Sequence, residues 1–161
     1  YEQGLAPIVA ANRAAGRLIF TDNMKDAVAK ADVVLIAVGT PTREGEDAAD
    51  LSFVYAAGEE IAKAMQGFTV IVTKSTVPVG TGDEVERILA EADTKARYAV
   101  ASNPEFLREG AAISDFKRPD RIVIGGGVSA DAADADMAGR MTGMGRRTQE
   151  VELRRLLGRH R

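Results

Sequence analysis

Apolar positions along this chain fall into two alternating patterns: short unbroken runs, and longer stretches in which they recur every three or four residues. The runs are Val33-Val34-Leu35-Ile36-Ala37-Val38, Thr69-Val70-Ile71-Val72-Thr73, Tyr98 to Ala101 and Arg121 to Ile124. All four predict strands, and the first, six apolar residues without polar alternation, predicts one covered on both faces, as in parallel sheets. Before the first run, Leu5, Ile8, Val9 and Asn12 keep helical spacing, and Gly16 stands where a left-handed C-terminal cap would be. Leu18 to Phe20 reads as a short strand, after which Asn23 caps a helix with Met24, Ala27, Val28 and Ala31 on its apolar face. Asp50 or Ser52 caps a third helix with Val54, Ala57, Ile61, Ala64 and Met65 on one side, and Gly67 ends it. Thr81 and Glu84 have the spacing of a capping box ahead of Val85, Ile88, Leu89 and Ala92.

Strand and helix alternate, and each crossover is long enough for a right-handed parallel connection. The predicted fold class is α/β, a Rossmann-like doubly wound parallel sheet. From about Gly126 the pattern fades: Gly125-Gly126-Gly127 leads into alternating Ala and Asp, and residues 140–161 contain seven arginines, with one possible helix near Val151 to Leu157. The reading divides the chain into a domain over residues 1–126 and a poorly ordered tail over 127–161.

Composition narrows the function classes. With 161 residues, 45% of them apolar and 28% charged, the chain is long enough for one globular domain. Its apolar runs are too short to span a bilayer and no leader opens the chain, so a cytoplasmic protein without a membrane partner is expected. The net charge of −3 gives no reason to expect nucleic acid. Zero cysteines remove thiolate metal sites and any thiol nucleophile, and no cluster has metal-ligand character. Glu44, Glu46 and Asp47 read as an exposed turn, His160 as a solvated side chain, and Met137, Met141 and Met144 as a helical stripe.

Chemistry concentrates in three polar, proline-bearing loops, each following a predicted strand. In open parallel sheets such loops share the carboxyl edge, where ligands bind. In Val38-Gly39-Thr40-Pro41-Thr42, Gly39 admits a ligand close to the backbone, the threonine hydroxyls can donate to ribose or phosphate, and Pro41 stiffens the turn. In Ser75-Thr76-Val77-Pro78, with Lys74 beside it, the hydroxyls can orient a water or meet a nicotinamide. The bland alternative is a turn that caps the next helix, a role Thr81 already fills on this reading. In Asn103-Pro104-Glu105-Phe106-Leu107-Arg108-Glu109-Gly110, Asn before Pro disfavours helix and holds Glu105 at a strand end, where a carboxylate in a cleft can act as general acid or base. A surface glutamate near Arg108 is the plain alternative; the conjunction of three such loops on one edge favours a site.

Read together with Tyr1-Glu2-Gln3-Gly4-Leu5, Ala49-Asp50-Leu51-Ser52 and Pro119-Asp120-Arg121, these loops resemble the UDP-glucose/GDP-mannose dehydrogenase family over Tyr1 to about Gly126. The resemblance implies oxidation of the C6 alcohol of a nucleotide sugar to a carboxylate, with NAD as cofactor and a cysteine-bound intermediate. It implies UDP-glucose as substrate, with GDP-mannose or a UDP-N-acetyl sugar as alternatives, and a homo-oligomer. By the same resemblance, Val38 to Thr42 contact the adenosine half of NAD, and Ser75, Thr76 and Val77 reach its nicotinamide region. Glu105 is the acid/base that helps water release the thioester, and Thr76 positions that water. Residues Glu105, Phe106, Leu107, Arg108 and Glu109 line the nucleotide-sugar site, and Glu109 also approaches NAD.

Departures accompany the likeness. Gln3 stands where the family usually has Pro, and neither the family's glycine-rich turn nor its catalytic cysteine and UDP-binding domain is found in these residues. The chain opens on Tyr1, inside what reads as an ongoing element. A partial domain truncated at its N-terminus is therefore expected, inactive alone, from a disrupted gene or as a piece that assembles with an intact dehydrogenase.

Overall fold

The computed structural model describes residues 2–43, 45, 48–92 and 94–126. Expectations for Tyr1, for Glu44, Glu46 and Asp47, and for the tail with its methionine stripe, helix and His160 lie outside these residues. Among the described residues the elements follow in the order α1 (Leu5–Ala14), α2 (Met24–Ala29), β1 (Val33–Ile36), α3 (Ser52–Ala64), β2 (Thr69–Thr73), α4 (Thr81–Glu91), β3 (Tyr98–Ser102), α5 (Ala112–Lys117) and β4 (Gly125–Gly126).

Three strands run parallel in the order β1-β2-β3, with Val33 opposite Val70 and Thr69 opposite Tyr98. All three therefore deliver their carboxyl ends, and the loops that follow, to one edge. Helices α2, α3 and α4 cover one face, where Val28, Val54, Ile61, Val85 and Leu89 pack against Ile36 and Ile71. Thr69 to Thr73 are buried throughout, as an unbroken apolar run in a central strand requires. Gly58 lies where α3 meets α4, and a Cβ there would stand at ordinary contact distance, 3.7 Å from Ile88 Cγ2 and 3.9 Å from Val85 Cγ1. On the opposite face Val70, Val72 and Ala101 pack, among the described residues, with Phe68, Ala99 and Ile124.

Helix α1 ends in a Schellman motif: the Gly16 N–H donates to Arg13 O at 3.0 Å, the Arg17 N–H to Asn12 O at 2.9 Å, and Gly16 takes a φ of 68°. Asn23 caps α2 by accepting from the Asp26 N–H at 3.1 Å, and Asp50 accepts from the Ser52 N–H at 3.0 Å as α3 begins.

Four expectations are corrected. Leu18 to Phe20 form no strand, because no described strand lies beside them, and Ile19 and Phe20 stay exposed. The apolar run at residues 33–38 is not covered on both faces: β1 pairs only with β2 among the described residues, and Leu35 is 53% exposed. Arg121 to Ile124 carry no ladder; β4 starts at Gly125 and pairs antiparallel with β3, Ala101 opposite Gly126. Finally, the capping box does not form. Gly80 occupies the N-cap with φ 90°, the Thr81 hydroxyl donates back to Pro78 O at 2.8 Å, and the Glu84 carboxylate pairs with Arg87 at 2.6 Å. Among the described residues no helix is long and apolar enough to cross a membrane, and no group of side chains could hold a metal ion.

Candidate functional site

Parallel pairing places the three proline-bearing loops side by side on the carboxyl edge, and hydrogen bonds join them in series. The Ser75 hydroxyl donates to Val38 O at 2.7 Å, and the Thr40 hydroxyl reaches Thr76 O at 3.4 Å. The backbone N–H groups of Lys74 and Ser75 both donate to Ile36 O, at 2.8 and 3.4 Å. These contacts tie the loop after β1 to the loop after β2. From β2 to β3, the Lys74 ammonium donates to Asn103 O at 3.1 Å and to Asn103 Oδ1 at 3.2 Å, while the Asn103 N–H donates to Thr73 O at 2.9 Å.

Within the first loop the side chains divide between scaffold and surface. Thr42 forms a bridge with Ala49, and the Asp50 N–H donates to Pro41 O at 2.7 Å, so Pro41 and Thr42 are held against residues 49 and 50. Gly39 is exposed, with nothing within 4 Å of where a Cβ would be, which leaves its backbone open to a ligand. In the second loop the Ser75 hydroxyl is committed as a donor to Val38, and Val77 packs against the main core. Thr76 is the exposed hydroxyl. Neither Ser75 nor Thr76 caps α4, nor does Thr81, so the bland alternative of a turn that caps the next helix has no side-chain hydrogen bond behind it.

The third loop is pinned at several points. Glu105 is exposed, and its carboxylate accepts from the Leu107 N–H at 2.6 Å. Arg108 lays its guanidinium on Asp115, with Nε to Oδ2 at 3.0 Å and an Nη to Oδ1 at 2.8 Å, while its backbone N–H also meets Oδ2 at 3.1 Å. These hydrogen bonds, side-chain first, hold the Asp115 carboxyl down at about 2. Arg121 stands 5.7 Å from the centre of the Phe106 ring. Burial pushes the Lys74 ammonium below the usual lysine value, and the negative charge of Glu105 opposes that shift.

A cavity of about 670 Å³ opens on the less covered face, lined in part by Lys74, Asn103, Phe106, Leu107, Arg108 and Arg121. Its size suits a small-molecule ligand. It takes in three of the five residues expected around the nucleotide sugar; Glu105 and Glu109 are not among its walls, and Glu109 borders a neighbouring hollow of about 230 Å³ beside Glu2. Thr40 and Thr76, joined by their hydrogen bond, are not among the walls of this cavity, whereas Lys74, two residues before Thr76, is.

Residues the motifs did not single out complete the wall. Asp115, Phe116 and Arg118 arrive from α5 and the segment after it, where short, irregular structure leaves no periodicity to read. Lys74 carries a legible signal: a cation placed directly after five buried strand residues.

Residues 1–138 match the NAD binding domain of the UDP-glucose/GDP-mannose dehydrogenase family. UDP-glucose 6-dehydrogenase of Rhizobium meliloti is 70% identical over 125 residues, covering 78% of this chain and 29% of its own length. The Pseudomonas aeruginosa enzyme of the same name is 50% identical over 130 residues, 78% of this chain and 28% of its own. A UDP-glucose dehydrogenase structure from the hyperthermophilic archaeon Pyrobaculum islandicum superposes with a TM-score of 0.80 at 40% identity, covering 92% of this chain and 34% of that one. A ternary complex of GDP-mannose dehydrogenase from Pseudomonas aeruginosa reaches the same TM-score at 32% identity, with the same coverage. This chain thus spans less than a third of those curated relatives.

Proposed function

Because the chain belongs to the UDP-glucose/GDP-mannose dehydrogenase family, matched over its NAD-binding domain, we propose that it supplies the cofactor edge and the acid/base loop of an NAD-dependent UDP-glucose 6-dehydrogenase. One observation carries the reading: the hydrogen-bonded row of loops from Val38 through Ser75 and Lys74 to Asn103, at the carboxyl edge of three parallel strands. UDP-glucose is preferred to GDP-mannose because the relatives at 70% and 50% identity are both UDP-glucose 6-dehydrogenases.

In this reading the backbone at Val38 and Gly39 and the Thr40 hydroxyl take the adenosine half of NAD, with Pro41 and Thr42 holding the turn. Ser75, Thr76 and Val77 present the nicotinamide wall, Ser75 by fixing the loop and Thr76 by offering its exposed hydroxyl. NAD, when bound, supplies the hydride acceptor. Glu105 serves as acid/base for the water that releases the oxidised sugar, and Thr76 orients that water. Phe106, Leu107 and Arg108 contact the nucleotide sugar from the cavity wall, and Glu109 stands at its margin. The thioester route also needs a thiol, and none of the 161 residues is a cysteine. The purified chain is therefore expected to form no UDP-glucuronate from UDP-glucose and NAD.

Titration of ¹⁵N-labelled chain with NAD and, separately, UDP-glucose tests the assignment. NAD should shift residues 38–42 and 75–77, and UDP-glucose residues 105–109, at millimolar ligand. Shifts confined to other parts of the sheet, or none at saturating ligand, would remove the proposal.

A further inference from the structure

Lys74 is the residue through which the cofactor row and the acid/base loop touch. It follows the fully buried β2 directly, its backbone N–H is bound to the end of β1 through Ile36 O, and its ammonium crosses to the end of β3. Two of the three ammonium protons are used on one residue, Asn103, at the backbone oxygen and at the side-chain oxygen. Asn103 passes the constraint on, since its Nδ2 donates to Val123 O at 2.8 Å. Three strand ends and the returning segment thus meet at one partly buried cation.

We propose that Lys74 is a positioning residue, which fixes where the Glu105 loop leaves the sheet relative to the Thr76 hydroxyl. The inference rests on the reading of Glu105 and Thr76 given above. The physical reason lies in the short path from clasp to carboxylate. Asn103 precedes Pro104, so its backbone is restricted to extended geometry, and Pro104 itself has a fixed φ. With Asn103 held at both oxygens, little freedom remains before Glu105, whose carboxylate is then caught by the Leu107 N–H. A compact ammonium with three rotatable donors suits two oxygens on one residue, and no neutral side chain of similar length offers the same. Glu105 in turn acts on the ammonium by its charge, so the clasp and the carboxylate are electrostatically coupled as well as linked along the chain.

The test compares the full 161-residue chain with Lys74→Met and Lys74→Arg by ¹⁵N relaxation, and with Asn103→Ala as a second variant that keeps the lysine and the backbone acceptor. In the unsubstituted chain residues 103 and 105–107 should show order parameters of about 0.85, and the Lys74 ammonium should exchange more slowly than that of exposed Lys63. Lys74→Met should drop those loop values below about 0.6 while Ile71, Val72 and Leu89 keep their exchange protection. Lys74→Arg should restore most of the order, and Asn103→Ala should speed exchange at the Lys74 ammonium. Unchanged loop order in Lys74→Met, loosening spread equally through β2 and α4, or a Lys74 ammonium as fast as Lys63 would overturn the proposal. If Lys74→Met fails to fold, the ammonium exchange rate in the unsubstituted chain and in Asn103→Ala still decides it. No ligand is needed, so these outcomes judge the clasp alone, whereas the role of Glu105 stands or falls on the UDP-glucose titration.

Discussion

A single carboxylate, Asp115, decides how firmly the far end of the Glu105 loop is held, because it takes three hydrogen bonds from Arg108 alone. Its carboxyl sits at about 2, against an ordinary value of 3.8. A depressed carboxylate stabilises the fold fully above its ordinary value, and that contribution is lost as pH falls through the folded value. The expected window for release of Arg108 is therefore pH 4 down to about pH 2. Following the Arg108 Nε–H resonance across that range should show the loop loosening, and Asp115→Asn should abolish the step while leaving other acid transitions in place. A step that survives Asp115→Asn would assign it to another group. This pair was not legible beforehand: seven positions separate Arg108 from Asp115 in irregular chain, with no helical or strand period to join them. The hydroxyl loops were legible for the opposite reason, since each follows a buried apolar run whose end fixes its place on the sheet. What the sequence did not reveal is which hydroxyls face outward; Ser75 turns inward to Val38, and only coordinates distinguish it from Thr76.

Elements with strong periodicity came through, and those whose form depends on a neighbour did not. The five-residue run of β2 and the i, i+3, i+4 pattern of α4 each contain enough buried side chains to specify the element alone. Leu18 to Phe20 and Arg121 to Ile124 look like strands by composition, yet a strand is defined by pairing, and that information is non-local. The same contrast sets the expected mutational costs. Leu89 is fully buried between α4 and the sheet, so Leu89→Ala should cost about 2 to 5 kcal/mol in urea-induced unfolding, a large share of a small domain's stability. Gly58 behaves differently, because a methyl there meets Ile88 and Val85 at ordinary contact distance. Gly58→Ala should raise stability by about 0.5 to 1 kcal/mol through helix propensity. Gly58→Leu should instead lower it by about 1 to 3 kcal/mol by forcing α3 and α4 apart. If alanine proves destabilising, the close approach of the two helices is tighter than the distances indicate.

At the scale of the molecule, burial among the described residues is lopsided. One sheet face carries three helices and the main core, while the other has a thin cluster around Val70, Val72 and Ala101 and the cavity over Lys74. At the β1 end this asymmetry becomes an exposed apolar surface: among the described residues β1 has one unpaired edge, Val33 and Leu35 lie open beside it, and Ile19 and Phe20 are exposed nearby in the chain. An unpaired edge presents backbone donors and acceptors to any other extended chain, and apolar side chains along it add a hydrophobic drive to the pairing. The purified 161-residue chain is expected to self-associate as its concentration rises, through β1. Charge placed on that edge opposes strand addition, so Leu35→Lys should shift sedimentation velocity profiles toward monomer over the same concentration series, whereas Val79→Lys, at an isolated exposed valine in the loop before α4, should leave them unchanged. Equal effects from both substitutions would mean that association follows net charge and not the β1 edge. A monomer at every concentration would show that the open edge is protected by the chain itself.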